Sequence, residues 1–311
     1  MENQRLLFSF DKEESQLLKG CAILMVILGH LNYFIWGGAG GVALFLLLSG
    51  YGINTAYEQY GLAGYWRKRI RKVWLPYFIV GLFDVVALNI READHILCTL
   101  IGLDFGRIAD GTMWYISYIM LWYLMYYLSV LPAVKRKRST RRFICAIGMV
   151  AGMFLMRYLS KTGFWNVWRG AKVYIIFFPL GVLLSWLRDL RVKDSLWKMV
   201  WLVFLFISSV YLFRIYGNMY TTKMALSMSV LAISVIKIVP LDGRIKRALL
   251  FFGEYSYPLY LFEGMFLRVR LDWFIRAEAQ VFIDLIFFAV TIAAAVIFKT
   301  AYECFEKMLP R

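Results

Sequence analysis

The feature that most constrains the fold of this chain is its series of long apolar runs. Hydrophobic residues make up 61% of the 311 residues and the mean hydropathy is +0.62, far from the balance of a soluble domain. A helix needs about 20 mostly apolar residues to cross a bilayer. Ten such runs predict an all-α fold, a polytopic membrane bundle of about ten transmembrane helices. The runs cover approximately 18–36, 38–57, 73–90, 113–131, 143–159, 172–188, 197–214, 221–239, 249–268 and 279–300.

The 36 basic residues indicate the orientation of this bundle. If the N-terminus is cytoplasmic, most of the basic residues fall in the connections that also lie inside, as the positive-inside rule requires. An odd number of helices would spoil this alternation, so both termini are predicted to be cytoplasmic. Membrane insertion also accounts for the net charge of +16, and no nucleic-acid partner is predicted.

Nothing in the sequence predicts a second domain or a metal site. The longest connection, about residues 91–112, is too short to fold separately, and the first 16 residues lack a signal-peptide cleavage pattern. The four cysteines have no metal-ligand spacing. We therefore predict one integral membrane domain over residues 1–311, with no separate soluble domain, no metal and no permanently bound cofactor.

A basic residue and a histidine share one face of the first apolar run. Lys19 and His30 lie eleven residues apart, close to three helical turns or roughly 16 Å of rise. Ionisable groups within a membrane are costly and usually face a bundle interior or a watery cavity, where they serve a function. His30 is therefore the first candidate for catalysis, with Lys19 beside it on a polar stripe.

Small residues separate and line the first two runs. The sequence GGAGG at 37–41 predicts a tight turn between neighbouring helices. Ser49 and Gly50 fall in the middle of the second run, where small residues commonly permit close helix contact. They are equally candidates for cofactor binding.

A basic cluster precedes the third run. It can be only an orientation signal, or it can bind the phosphates of a cytoplasmic cofactor, because guanidinium groups grip phosphate bidentately. The cluster consists of Arg67, Lys68, Arg69, Arg71 and Lys72.

Acidic residues also fall within predicted helices. Asp84 in the third run and Glu263 in the ninth lie at broadly the depth of His30 when counted at about 1.5 Å per residue. Either carboxylate can fix the tautomer of the imidazole and raise its basicity. Alternatively, each can be a satisfied interhelical hydrogen bond.

The order of these motifs resembles acyltransferase family 3, the integral membrane acyltransferases that acylate cell-surface sugars. The spacing of Lys19 and His30 matches the family's first helix, and VALFLLLSGYGI at 42–53 resembles its aromatic run ending in Ser-Gly. Arg69 and Lys72 fit its R-x-x-R element with one conservative change. The sequence WYIS at 114–117 resembles the opening of a later helix.

The last motif of the resemblance departs from the family. GEYSYPLYLFEG at 253–264 is similar to a late family element in which a histidine is common at the position of Glu263. A carboxylate there can still orient a base or bind sugar hydroxyls. The resemblance covers nearly the whole chain.

The resemblance implies a multi-pass protein of the plasma (inner) membrane that uses cytoplasmic acyl-CoA, with acetyl-CoA as the expected co-substrate. The acceptor would be a hydroxyl of a cell-envelope or exported polysaccharide, and the surroundings would be membrane lipid. Lys19 and the basic cluster would hold the CoA phosphates, with Ser49 and Gly50 near the donor. Residues assigned to the glycan acceptor are Trp114, Tyr115 and Tyr260.

Two chemical routes and two other classes of protein stay open. His30 can act as a general base on the sugar hydroxyl, or it can carry the acetyl group as a covalent intermediate. A basic bundle of this size is also compatible with a glycan transporter or flippase. A non-catalytic subunit of a polysaccharide export complex is a further alternative.

Overall fold

A computed structural model describes residues 4–34, 37–102, 108–161, 171–214, 221–274 and 280–308. The chain divides into two compact units, each assembled from two separate segments. The first unit comprises Met1–Gly61 and Val173–Ser256, and the second comprises Leu62–Lys172 and Tyr257–Arg311. Most of the described chain is α-helical, as predicted.

The helices are numbered in chain order. They are α1 (Lys12–His30), α2 (Gly37–Tyr60), α3 (Tyr65–Arg69), α4 (Leu75–Ala87), α5 (Ala93–Ile101), α6 (Trp114–Val130), α7 (Arg138–Leu159), α8 (Phe177–Trp186), α9 (Asp194–Arg214), α10 (Thr222–Ile238), α11 (Gly243–Glu254), α12 (Ser256–Phe274) and α13 (Gln280–Met308).

Two short strands add to the all-α architecture that was predicted. β1 (Gln4–Leu6) and β2 (Arg191–Lys193) pair antiparallel in the first unit. The pairing holds the chain ahead of α1 against the start of α9, where Arg5 Nε lies 2.5 Å from a carboxylate oxygen of Asp194. The sequence did not predict these strands, because each is only three residues long and pairs with a segment far along the chain. Three residues are too few for a pattern of alternating hydropathy.

Glycines bring α1 and α2 of the first unit into close contact. The GGAGG segment forms the first turn of α2 rather than a loop, so the predicted tight glycine turn is wrong. A Cβ added at Gly41 would lie 2.7 Å from Val26 Cγ2, and one at Gly29 would lie 2.6 Å from Gly38 N. The two helices are neighbours as predicted, because small residues let their backbones approach.

A buried ion pair secures the start of α1 to the end of α10. The Lys237 ammonium donates to both carboxylate oxygens of Glu14 at 2.7 Å and to the Ser9 carbonyl at 2.6 Å. The Lys237 side chain is only 5% exposed and lies over the Phe10 ring. Removing one partner of such a pair would leave a poorly solvated charge.

The second unit contains one continuous helical segment from Tyr65 to Ala87. Its middle, Ile70–Trp74, is a π-helical turn that joins α3 to α4. A π turn inserts one extra residue, which displaces nearby carbonyls from the regular hydrogen-bond ladder. Two of these carbonyls accept hydrogen bonds from tyrosine hydroxyls, Arg71 from Tyr302 of α13 and Val73 from Tyr257 of α12.

Five helical segments are long and apolar enough to cross a membrane among the described residues. The predicted ninth run, 249–268, is divided between α11 and α12, and α5 lies in what was predicted to be a loop. Ten spans and two cytoplasmic termini stay predictions. The five segments are Gly37–Tyr60, Gly111–Ala133, Arg138–Leu159, Asp194–Arg214 and Gln280–Met308.

Candidate functional site

His30 is the last residue of α1, and its side chain is exposed. The helix begins with a capping box in which the Asp11 side chain accepts from the Glu14 amide at 2.7 Å. Lys19 is also exposed, whereas Ile23 and Val26, on the same face between them, are buried. Both polar side chains therefore reach the surface, separated by an apolar section.

Gly50 lies where α2 meets α8. A Cβ at Gly50 would fall on the Phe178 carbonyl, and one at Gly181 would fall on the Leu47 carbonyl. The contact is extended by a hydrogen bond of 2.7 Å from the Asn54 amide to the Ser185 hydroxyl. Gly50 thus serves helix packing, and the assignment of Ser49 and Gly50 to cofactor binding stays a prediction.

Arg69 differs from the rest of the basic cluster because it is half-buried among aromatic rings. Its guanidinium carbon lies 5.5 Å from the ring centroid of Tyr65 and 5.1 Å from that of Tyr123. The Tyr65 hydroxyl donates to the Tyr123 carbonyl at 2.8 Å, and burial raises the pKa of this phenol while the adjacent guanidinium opposes the shift. The two rings therefore hold a cation in a defined position.

The other members of the basic cluster are Arg67 and Lys68 on α3 and Arg71 and Lys72 on the π turn. Arg67, Lys68 and Lys72 are exposed, and Arg71 is half-buried. Because the turn is continuous with α3 and α4, all five cations are presented from a helical backbone instead of the predicted loop. This placement suits anion binding.

Asp84 and Glu263 are both fully buried in the second unit. The structure adds Asp110, whose carboxylate occupies the space that a Cβ at Gly264 would need. The charges of Asp84 and Asp110 interact, and the Arg268 guanidinium acts on Asp84 with opposite sign. Asp84 and Asp110 thus belong to one neighbourhood, and Glu263 directly precedes the glycine of α12 that Asp110 contacts.

Asp84 makes no hydrogen bond through either carboxylate oxygen within the described ranges. The described residues therefore do not support the alternative that Asp84 forms a hydrogen bond between helices. Burying an unmatched carboxyl group is costly. The burial of Asp84 without a hydrogen-bond partner among the described residues therefore makes it a stronger candidate for a functional role than the sequence alone did.

Aromatic residues assigned to the acceptor surround the start of α6. Asp110 begins this segment by accepting from the Thr112 amide at 2.8 Å, and the Tyr260 hydroxyl donates to the Thr112 carbonyl. The Tyr115 and Tyr260 rings meet edge to face with centroids 5.8 Å apart, and Trp114 packs at right angles to Tyr115. Tyr260 is buried, while Trp114 and Tyr115 are half-buried.

The predicted site residues thus fall into two sets. Lys19, His30, Ser49 and Gly50 belong to the first unit. The basic cluster, the carboxyl group pair and the three aromatic residues belong to the second, so pairing of His30 with a carboxylate stays a prediction. No cluster of His, Cys, Asp or Glu within the described ranges can hold a metal ion.

The sequence profile of acyltransferase family 3, described as an acyltransferase domain, matches residues 13–300. The chain belongs to acyltransferase family 3. The match begins in the first turn of α1 and ends within α13, so it includes every predicted site residue. Its family and its long apolar helices together identify the chain as a membrane acyltransferase.

No curated protein and no solved structure matches the chain. The proposals for its donor, its acceptor and its side chains therefore rest on its family and on its own residues. Asp110, Thr112 and Gly264 were not selected from the sequence. A local signal was available for Asp110, since aspartate is a preferred residue at the start of a helix, but none was available for Gly264.

Proposed function

We propose that the chain transfers an acetyl group from cytoplasmic acetyl-CoA to a hydroxyl of a cell-envelope or exported polysaccharide. The observation that carries this proposal is the family match over residues 13–300. The spacing of Lys19 and His30 and the basic cluster agree with a donor that is anionic at one end and reactive at the other. We further propose that the protein resides in the plasma (inner) membrane with about ten spans.

His30 is the proposed general base. A neutral imidazole takes the proton of the sugar hydroxyl while that oxygen attacks the thioester carbonyl, and the C–S bond then breaks to release CoA as its thiol. A positioned base of this kind typically contributes about 10²–10⁴-fold to the rate. The exposure of His30 at the end of α1 supports this role because an acceptor can approach the ring.

The donor phosphates are proposed to bind Lys19 and the basic cluster, with Arg69 as the most ordered member. Its support is the pair of rings at 5.1 and 5.5 Å that fixes the guanidinium. A cation whose position is fixed loses less side-chain entropy on binding an anion. Arg67, Lys68, Arg71 and Lys72 add favourable charge.

The acceptor is proposed to contact the half-buried rings of Trp114 and Tyr115. Aromatic faces pack well against the C–H faces of sugars, because both surfaces are apolar. Glu263 and Asp84 lie buried in the same unit and are proposed to position the tyrosine and threonine groups or to accept from sugar hydroxyls. The buried, unmatched carboxylate of Asp84 supports such a polar partner.

The test compares the chain's two histidines in the purified full-length protein. His30→Ala is expected to abolish transfer of radiolabelled acetyl groups to polysaccharide while acetyl-CoA binding persists. His95→Ala is the matched control, because His95 is partly exposed on α5 and pairs with Glu92 at 3.3 Å.

Two results would count against this proposal. Appreciable transfer by inserted His30→Ala protein would remove His30 from the mechanism. Failure of the wild-type protein to bind acetyl-CoA would favour the transporter or the non-catalytic subunit, because neither of these needs the donor. An acetyl adduct on His30 is not part of the direct route, so trapping one would instead indicate the covalent route.

A further inference from the structure

A cavity of about 450 Å³ lies within the second unit. Its walls come from α3, the π turn, α4, the end of α5, α6 and the last residue of α7. The volume falls within the range of small-molecule sites. None of the predicted site residues lines it, so it is not explained by the transfer reaction.

The chemistry of the cavity walls is almost entirely apolar. Its lining includes Leu121 and Leu124 of α6 together with Trp66 and Trp74. Its two hydroxyl groups are already used in hydrogen bonds, because Tyr77 donates to the Thr99 carbonyl and Ser117 donates to the Gly102 carbonyl. A ligand that fills this space should therefore be an aliphatic chain.

The cavity opens to the surface. Leu124 is 37% exposed and Ile101 is 41% exposed, and both line the space. Trp66 and Trp74 are eight residues apart with the exposed Ile70 between them, so the three form one stripe of the helical segment. Tryptophan side chains are enriched where membrane proteins meet the headgroup region.

Three exposed basic residues lie beside the cavity's two tryptophans along the sequence. Arg67 directly follows Trp66 and is exposed, and Lys68 and Lys72 add two further exposed cations on the same short segment. Basic groups at the cytoplasmic end of a membrane helix attract anionic lipid headgroups. The apolar walls suit an acyl chain, and the exposed cations suit an anionic headgroup. A single anionic lipid has both.

We infer that this cavity holds one acyl chain of an anionic bilayer phospholipid, whose headgroup phosphate is bound by Arg67. The described cavity walls contain no residue that is proposed for transfer, and the headgroup site shares only Arg67 with the basic cluster proposed above for the donor phosphates. Arg69, assigned above to the donor, points toward Tyr65 and Tyr123 instead. The bilayer is chosen as the source because the walls open at exposed apolar residues of helices that belong to a membrane protein.

The test measures lipid retained by the full-length protein in native mass spectrometry. Detergent-purified protein is mixed with dioleoylphosphatidylglycerol or with zwitterionic dioleoylphosphatidylcholine. We expect tighter binding of one phosphatidylglycerol molecule. Leu124→Trp should weaken that binding by narrowing the cavity, whereas the control Leu128→Trp, one turn further along α6 and outside the cavity, should leave it unchanged.

A second pair of variants tests the headgroup. Arg67→Gln should weaken phosphatidylglycerol binding about fivefold, the factor equivalent to about 1 kcal/mol per basic residue near an anionic surface, and Lys135→Gln, an exposed cation outside the cavity, should not change it. If Leu124→Trp protein does not fold, Leu121→Phe narrows the same cavity with less added volume and should also weaken binding.

Three outcomes would overturn this inference. The first is unchanged lipid retention in the folded cavity-narrowing variant. The second is equal binding of the anionic and zwitterionic lipids. The third is displacement of phosphatidylglycerol by palmitoyl-CoA with higher affinity, which would assign the cavity to the chain of an acyl donor. Acetyl transfer by the same protein samples is measured separately, so failure here is distinguishable from failure of the proposed function.

Discussion

Replacing Arg69 by Ala should weaken acetyl-CoA binding more than acceptor binding. The guanidinium is held between the Tyr65 and Tyr123 rings at 5.5 and 5.1 Å, so its removal deletes an ordered cation rather than a mobile one. A hydrogen bond to a charged group contributes about 1.5–3 kcal/mol. Because Arg69 is only half-buried, we expect the lower end, which is about a tenfold rise in KM for acetyl-CoA.

The assay is saturation kinetics of acetyl transfer, with acetyl-CoA and the acceptor varied in turn. Arg69→Lys keeps the charge but loses the planar fork, and it should recover part of the affinity. Arg136→Ala removes an exposed arginine from the loop before α7 and serves as the matched control. A rise confined to the KM of the acceptor would refute the assignment and leave the basic cluster as an orientation signal.

Two further predictions concern the carboxyl groups of the second unit. Glu263→Gln should lower turnover while acetyl-CoA binding, measured by equilibrium dialysis, stays nearly intact; if Asp84→Asn cripples turnover and Glu263→Gln behaves as wild type, the functional carboxylate is Asp84. Gly264→Ala should destabilise the protein by about 1–3 kcal/mol and raise the acceptor KM, because the new methyl group would displace Asp110. Thermal unfolding in micelles measures the stability. Gly52→Ala is the control, because a Cβ at Gly52 would meet open space. If Gly264→Ala has both the stability and the acceptor KM of the wild type, the prediction is wrong.

The sequence was sufficient for the class of fold and for the family. Apolar runs of bilayer length, basic residues between them and the spacing of Lys19 and His30 are local or periodic signals, and each can be read without knowing any distant contact. The glycines at 37–41 placed helices α1 and α2 beside each other, although they do so from within α2 and not through the predicted turn. Helix ends were less accurate, because α1 ends at His30 rather than six residues later.

The role of each glycine could not be read from the sequence. GGAGG was interpreted as a turn because glycine is permissive of turns, yet it forms the start of α2, where the absence of side chains allows contact with α1. The same local sequence is compatible with a turn and with a closely packed helix. Only the neighbouring helix determines which one applies, and that neighbour is a matter of packing.

Tertiary structure alone decided the environment of each charged side chain. The five cations of the basic cluster are similar in sequence, but Arg69 is held by two rings, one of them from a helix more than 50 residues away. Asp110 had the appearance of a loop acid until the glycine at 264 was seen to admit its carboxylate. The physical reason is that periodicity records which face of a helix is apolar, whereas burial, electrostatic coupling and cavity shape depend on residues that are distant along the chain.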